Sequence, residues 1–173
     1  MCEMDYLKLL DDAYYISTFS NDPSTQIGVV IVDEVNGVKL SSGYNRFPAG
    51  IKETKERMRD RDFKYKVIIH AEEDAILRAA RTGVGLYGST IISPFGACNI
   101  CARAIIAAGI KKIVVHESAL HFSANIMSDG RKEWAEAIKL ANEMFDEAGI
   151  SKLKLVDRVG CRPVRCGYRL FYP

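Results

Sequence analysis

β-Branched runs alternate with helical patterns along the 173 residues, and this predicts an α/β sandwich with helices on both faces of one sheet. Three observations carry the prediction. QIGVVIVD, STIISP, KKIVVH and SKLKLV are short runs of strand composition. HAEEDAILRAA and CNICARAIIAA stand between them with small and apolar residues at helical spacing. Val35-Asn36-Gly37 makes a tight turn between the first run and VKLSSGYN, so the first two strands form an antiparallel hairpin.

In chain order, Met4 to Phe19 places Tyr6, Leu7, Leu10, Tyr14 and Ile16 on an amphipathic first helix, and SNDPST with Pro23 stops it. Gln26 to Asp33 is a nearly continuous apolar run, as in a strand buried on both faces. Arg46 to Lys66 is dense in mixed charge and reads as an exposed connection with a short helix. Val67 to Ala80 begins as a strand or extended approach and runs into a helix. TGVGLYG turns the chain into the strand STIISP, and Cys98 to Ala108 is a helix closed by Gly109 in a left-handed cap. After KKIVVH, Glu117 to Gly130 reads as an irregular loop, and Arg131 to Ala148 as a helix with the only tryptophan. SKLKLV is the last strand, before a tail from Asp157 to Pro173.

The length suits one domain, residues 1–173, with a core that needs no disulfides. With 48% apolar and 27% charged residues and a net charge of +2, composition points to no polyanionic partner held by a broad basic face. No apolar run is long enough to span a bilayer, and the acidic start MCEMDYLKLLDD is unlike a secretory signal. The expectation is a cytoplasmic protein, in which Cys98 and Cys101 of the five cysteines are metal ligands or redox groups rather than a bridge.

The metal reading is the stronger. His70 opens one helix and Cys98-x-x-Cys101 opens another, 28 positions on. One imidazole and two thiolates suit zinc, and three protein ligands rather than four are the count of a catalytic site that keeps a position for water. Two thiolates cancel the charge of the ion, and helix starts add partial positive charge, which favours ionised water near neutral pH. Glu72, two residues after His70, reaches round the helix mouth toward the same ion and is placed as a proton shuttle.

H-x-E followed by C-x-x-C resembles the signature of the zinc-dependent cytidine and deoxycytidylate deaminase superfamily. Within it the resemblance is closest to the deoxycytidylate (dCMP) deaminase family. It is carried by NDPSTQIGVVIVD, GYNRFPAGI, HAEEDAIL and CNICARAIIAAGIKKIVV, from about Asp5 to His116. It implies a three-layer sandwich with a cytidine-deaminase-like mixed sheet of about five strands. It also implies one catalytic Zn²⁺ per subunit on His70, Cys98 and Cys101, with Glu72 as general acid and base. Asn45 resembles the asparagine that contacts the sugar, although an asparagine there also closes a turn. The implied reaction is hydrolysis of dCMP to dUMP and ammonia, supplying thymidylate synthesis. The implied assembly is a homo-oligomer, often a hexamer in the family, under dCTP and dTTP control, with Mg²⁺ accompanying a nucleotide effector.

Two positions depart from the family. Ala97 stands where a proline usually precedes the first cysteine, which loosens the helix entry without removing a ligand. Asp74 stands where asparagine is common, so an extra negative charge either opposes a phosphorylated substrate or faces solvent. Arg46, Lys52, Lys55 and Arg57 are candidate phosphate or effector contacts, Trp134 with Ile138 a core or interface anchor, and Cys161 and Cys166 ordinary thiols rather than a second metal site. A second enzyme reading keeps the zinc chemistry but acts on a free nucleoside, a nucleobase, or a base in tRNA or single-stranded nucleic acid. A third is a non-catalytic binding module on this scaffold, to which the presence of Glu72 is opposed.

Overall fold

The computed structural model describes residues 4–127, 132–160 and 162–173. A five-stranded mixed sheet runs in the order β2-β1-β3-β4-β5, formed by Lys39–Tyr44, Gly28–Val32, Thr90–Ile92, Lys112–His116 and Ser151–Leu155 respectively. β1 is antiparallel to both β2 and β3, while β3, β4 and β5 are parallel, as expected when a hairpin is followed by helix crossovers. All five residues of β1 are buried, with Val29 and Ile31 in one core and Val30 and Val32 in the other.

On the first face lie α4 (Ala71–Thr82), α5 (Asn99–Ala107) and α7 (Lys132–Glu147), packed on Ile91, Ile113 and Val115. On the second face α1 (Tyr6–Ser17) lays Leu10, Ala13 and Tyr14 against Ile92 and Val114. α1 starts at Asp5, whose side chain accepts from Lys8 N, and stops before the turn at Pro23. α5 ends as the sequence indicates, with Gly109 at φ 77°.

Four expectations are corrected. Glu117 to Met127 is a helix, α6, not a loop; Ala119 is fully buried and Phe122 packs against the second core. Its serines and asparagine gave the segment the composition of a connection, and its apolar anchors divide between the two cores, Leu120 on the first and Ala119 and Phe122 on the second. Gly130 and Arg131, at the ends of the expected loop and helix, lie outside the described residues. Residues 46–66 are not simply exposed: α2 (Lys55–Arg59) and α3 (Arg61–Val67) form there, and Phe47, Met58 and Lys64 are buried. Val67 therefore closes a helix and no strand forms, while Ile68 to His70 make the extended approach to α4, with Ile69 bridged to Arg46.

The fourth correction concerns the tail, which holds a hairpin of β6 (Val164–Cys166) and β7 (Arg169–Phe171). Its turn residues Gly167 and Tyr168 have φ of 59° and 67°, the conformation a two-residue hairpin turn demands. Val164 and Phe171 seal the second core beside Tyr14. No helix among the described residues is long and apolar enough to cross a membrane.

Candidate active site

His70 and Cys98 are both N-cap residues, with extended φ/ψ of −76°, 159° and −79°, 170°. Ordinary N-caps turn a side-chain oxygen onto the first amides of the helix. Neither of these side chains makes such a bond, so both are free to face each other across the two helix starts. Cys101, one turn into α5, joins them. His70 Nδ1 lies 3.4 Å from Cys98 Sγ and 3.3 Å from Cys101 Sγ. The three donor atoms all fall within 4.8 Å of one another. The set fits zinc: one nitrogen and two sulfurs converge from one side, and the ligand types are those of tetrahedral sites with an open position.

The electrostatics follow from the close approach of the three donors. A hydrogen bond from Cys101 pulls the Cys98 thiol down to about 4, with His70 adding to the effect against burial. The same pairing, with burial, pushes the Cys101 thiol up. His70 is raised because it donates to Cys98, against its burial.

Glu72 sits in the first turn of α4 and is 3% exposed. Burial raises its pKa, so the carboxyl takes up a proton more readily than one in water. Ser93, at the end of β3, donates to its Oε1 at 2.9 Å and fixes its direction. Sequence reasoning missed Ser93, whose only signal was its place at the carboxyl end of a strand.

The cluster opens into a cavity of about 130 Å³. His70, Glu72 and Cys98 line one end, and Asp22, Ser24, Thr25, Asn45 and Lys64 line another part. Lys64 is buried and gives Nζ to Asp22 Oδ1 at 3.0 Å, Asp22 Oδ2 at 3.1 Å and Ser24 Oγ at 2.9 Å. Asp22 also receives the amides of Ser24 and Thr25, so one ion pair shapes the whole 22–25 loop. Breaking such a pair by removing one partner costs about 3–5 kcal/mol, because the other charge stays buried. Asn45 lines the cavity, but its amide is engaged locally: Oδ1 accepts from Ile27 N at 2.8 Å and Nδ2 donates to Thr25 O at 2.8 Å. The turn-closing role is therefore present in the structure.

Trp134 stacks on the His70 ring, with centroids 5.8 Å apart and planes at 26°. It forms one wall with Ile138 and Tyr65, where the sequence suggested a core or interface anchor. Cys166 and Gly167 of the C-terminal hairpin line the cavity too. Cys166 is a buried thiol, while Cys2 and Cys161 lie outside the described residues.

The candidate phosphate contacts are not brought together there. Lys52, Lys55 and Arg57 are exposed and outside the cavity lining, and Arg57 leans on the Phe63 ring, 5.0 Å from its centroid. Arg46 is paired with Asp74 at 2.7 Å. Asp74 is buried, so it neither faces solvent nor stands unpaired against a substrate. Ala97 is 4% exposed and lines the cavity, and α5 starts in place without a proline before Cys98.

An imidazole, two thiols and a buried carboxyl at helix starts above a mixed sheet define a metal-binding enzyme scaffold of the zinc hydrolase kind. The family described as the cytidine and deoxycytidylate deaminase zinc-binding region matches residues 4–117, and the chain belongs to it. An uncharacterized deaminase from the luxG 3′ region of Aliivibrio fischeri is 35% identical over 138 residues, 80% of this chain and 84% of that protein. The deoxycytidylate deaminase of Pongo abelii is 30% identical over 151 residues, 84% of this chain and 76% of that protein. The crystal structure of dCMP deaminase from the cyanophage S-TIM5 in complex with dCMP and dUMP superposes with a TM-score of 0.62 at 21% identity. It covers 87% of this chain and 93% of that one, and shares the fold.

Proposed function

We propose that this chain is a zinc-dependent hydrolytic deaminase that converts dCMP to dUMP and ammonia. The observation that carries the reading is the buried Glu72 carboxyl beside the His70–Cys98–Cys101 cluster, in the same cavity. His70, Cys98 and Cys101 would hold the zinc ion, which supplies a Lewis acid that lets water act as a nucleophile near neutral pH. Glu72 carries protons: it accepts one from the attacking water, returns one to the ring nitrogen, and assists departure of the amine as ammonia. Its raised pKa suits both halves of that task. Ser93 keeps the carboxyl aimed. Trp134, Ile138 and Phe95 line the cavity and would enclose a planar ring, and Asn45 and the 22–25 loop would stand beside the sugar. Relatives named deoxycytidylate deaminase support the nucleotide over a free base.

The reading extends to a single deaminase domain over the chain, a cytoplasmic homo-oligomer, and dCTP and dTTP effectors with Mg²⁺. Resemblance supports these, and Lys52 and Arg57 are exposed cations available to an effector. The test is ammonia release from dCMP, deoxycytidine and a cytosine-containing oligonucleotide by the zinc-loaded protein. Turnover of dCMP at a kcat/KM at least about tenfold above that of deoxycytidine is expected, a difference of about 1.4 kcal/mol. Activity on the oligonucleotide alone would overturn the assignment.

A further inference from the structure

Arg46 grips the segment that carries His70 and Glu72 on both sides, and we propose that it is the positioning residue that sets those two side chains. Its main chain pairs with Ile69, the residue before His70, in both directions. Arg46 N donates to Ile69 O at 3.3 Å, and Ile69 N donates to Arg46 O at 3.0 Å. Its guanidinium then reaches past the helix start to Asp74, with Nε 3.0 Å and Nη2 2.7 Å from Oδ1. The two anchor points, 69 and 74, bracket both functional residues.

The far anchor is well fixed. Asp74 is 1% exposed, and Tyr44 N donates to its Oδ2 at 3.3 Å. Arg78 Nε lies 2.8 Å from the same oxygen as an ion pair, although its N–H is not aligned on it. Both guanidiniums also lie over the Tyr44 ring, at 5.9 and 5.2 Å from its centroid. Gly43 lets the strand approach the helix directly, since a Cβ there would stand 2.4 Å from Ala71 O and Ala75 N. The end of β2 and the first turn of α4 are therefore one joint, and Arg46 holds it with its side chain while holding the approach to His70 with its main chain.

The functional consequence follows from the geometry that proton transfer requires. A general acid and base works within about 3 Å of its partner, and a misplacement of about 1 Å costs about 10²-fold in rate. Residues that orient metal ligands from behind change affinity or activity by about 10–100-fold when lost. A lysine at 46 would keep the charge on Asp74 but lose the planar fork that places two N–H groups on one oxygen. Arg46 thus has a task on the protein side of the cavity, in place of the phosphate contact its position in the sequence suggested.

This inference rests on the proposed deaminase reading, but one arm of its test does not. Arg46→Ala, Arg46→Lys and Asp74→Asn are compared with the parent protein for zinc dissociation constant by competition with a chromophoric chelator, for kcat and KM on dCMP, and for thermal midpoint. In Arg46→Ala we expect zinc affinity to fall about tenfold and kcat about 30- to 100-fold, with KM within about threefold. Arg46→Lys, which keeps the ion pair and hence the fold, should recover part of both, and Asp74→Asn should shift both in the same direction as Arg46→Ala. Zinc affinity and kcat within twofold of the parent in folded Arg46→Ala would overturn the proposal, as would a rise in KM with kcat unchanged. If the parent binds zinc but does not turn over dCMP, the substrate reading fails while the zinc arm still decides the role of Arg46.

Discussion

Residues 4–117 and the rest of the chain meet at one cavity but contribute different things to it. The first region supplies the groups with chemistry: His70, Glu72, Cys98 and Cys101, with Ser93 behind the carboxyl and Lys64–Asp22 shaping the loop alongside. The second supplies further walls, beside Tyr65 and Phe95 of the first, from Ser123 on α6, Trp134 and Ile138 on α7, and Cys166 and Gly167 of the hairpin. Chemistry needs donors at fixed distances, which two helix starts provide within a few residues each. Shape needs surfaces, which elements remote in sequence provide by packing.

That division can be broken or sharpened by experiment, starting where the effect is largest. Glu72→Ala should keep zinc and lose about 10²–10⁴-fold in kcat, because only the proton carrier is removed. Retention of most of the rate would mean that the chemistry lies elsewhere. Removal of zinc by a chelator should cost about 4 kcal/mol of stability relative to zinc at a thousandfold excess over its dissociation constant. Cys101→Ser should abolish most of that difference, as read from thermal midpoints with and without zinc.

The second region should behave differently. Trp134→Ala should raise KM for dCMP about tenfold, or about 1.4 kcal/mol, with kcat changed less, since it removes a wall rather than a proton carrier. A fall in kcat alone would place Trp134 with the chemistry through its stacking on His70.

The smallest effect concerns His116, buried in the second core between Tyr14 OH on Nδ1 at 2.7 Å and Ser118 Oγ on Nε2 at 2.8 Å. Burial lowers its pKa, so the unfolded chain binds the proton more tightly than the folded one. Its contribution should be complete above roughly pH 6.5, the value of a free imidazole, and be lost as pH falls below it. A urea midpoint that declines less from pH 7 to pH 5 in His116→Gln than in the parent would confirm the sign. An unchanged slope would remove His116 from the account.

β1, β3, β4 and α1, α4, α5 and α7 were legible because each buries apolar residues of the right period, β2 because an Asn-Gly turn precedes it, and β5 because Leu153 and Leu155 alternate with lysines. The convergence of His70, Cys98 and Cys101, a group that could hold a metal ion, was legible because the three stand on short motifs. α6 and the C-terminal hairpin were not. Ala119 and Phe122 face the second core while Leu120 packs against the first, so no single apolar face marks the helix before those cores exist, and a Gly-Tyr turn carries a weaker hairpin signal than Asn-Gly. Lys64 was hidden in a run of charges, since nothing local distinguishes a lysine that will be buried on Asp22 from its exposed neighbours.

By itself the amino-acid order determined the α/β class, the two helix starts, and the residue types that meet at them, because periodicity and motif spacing act over a few residues. Tertiary structure alone decided that Trp134 covers His70, that Ser93 holds Glu72, and that Arg46 pairs with Asp74. Those contacts join residues 21 to 64 positions apart, and packing, not local propensity, selects which partner a side chain finds.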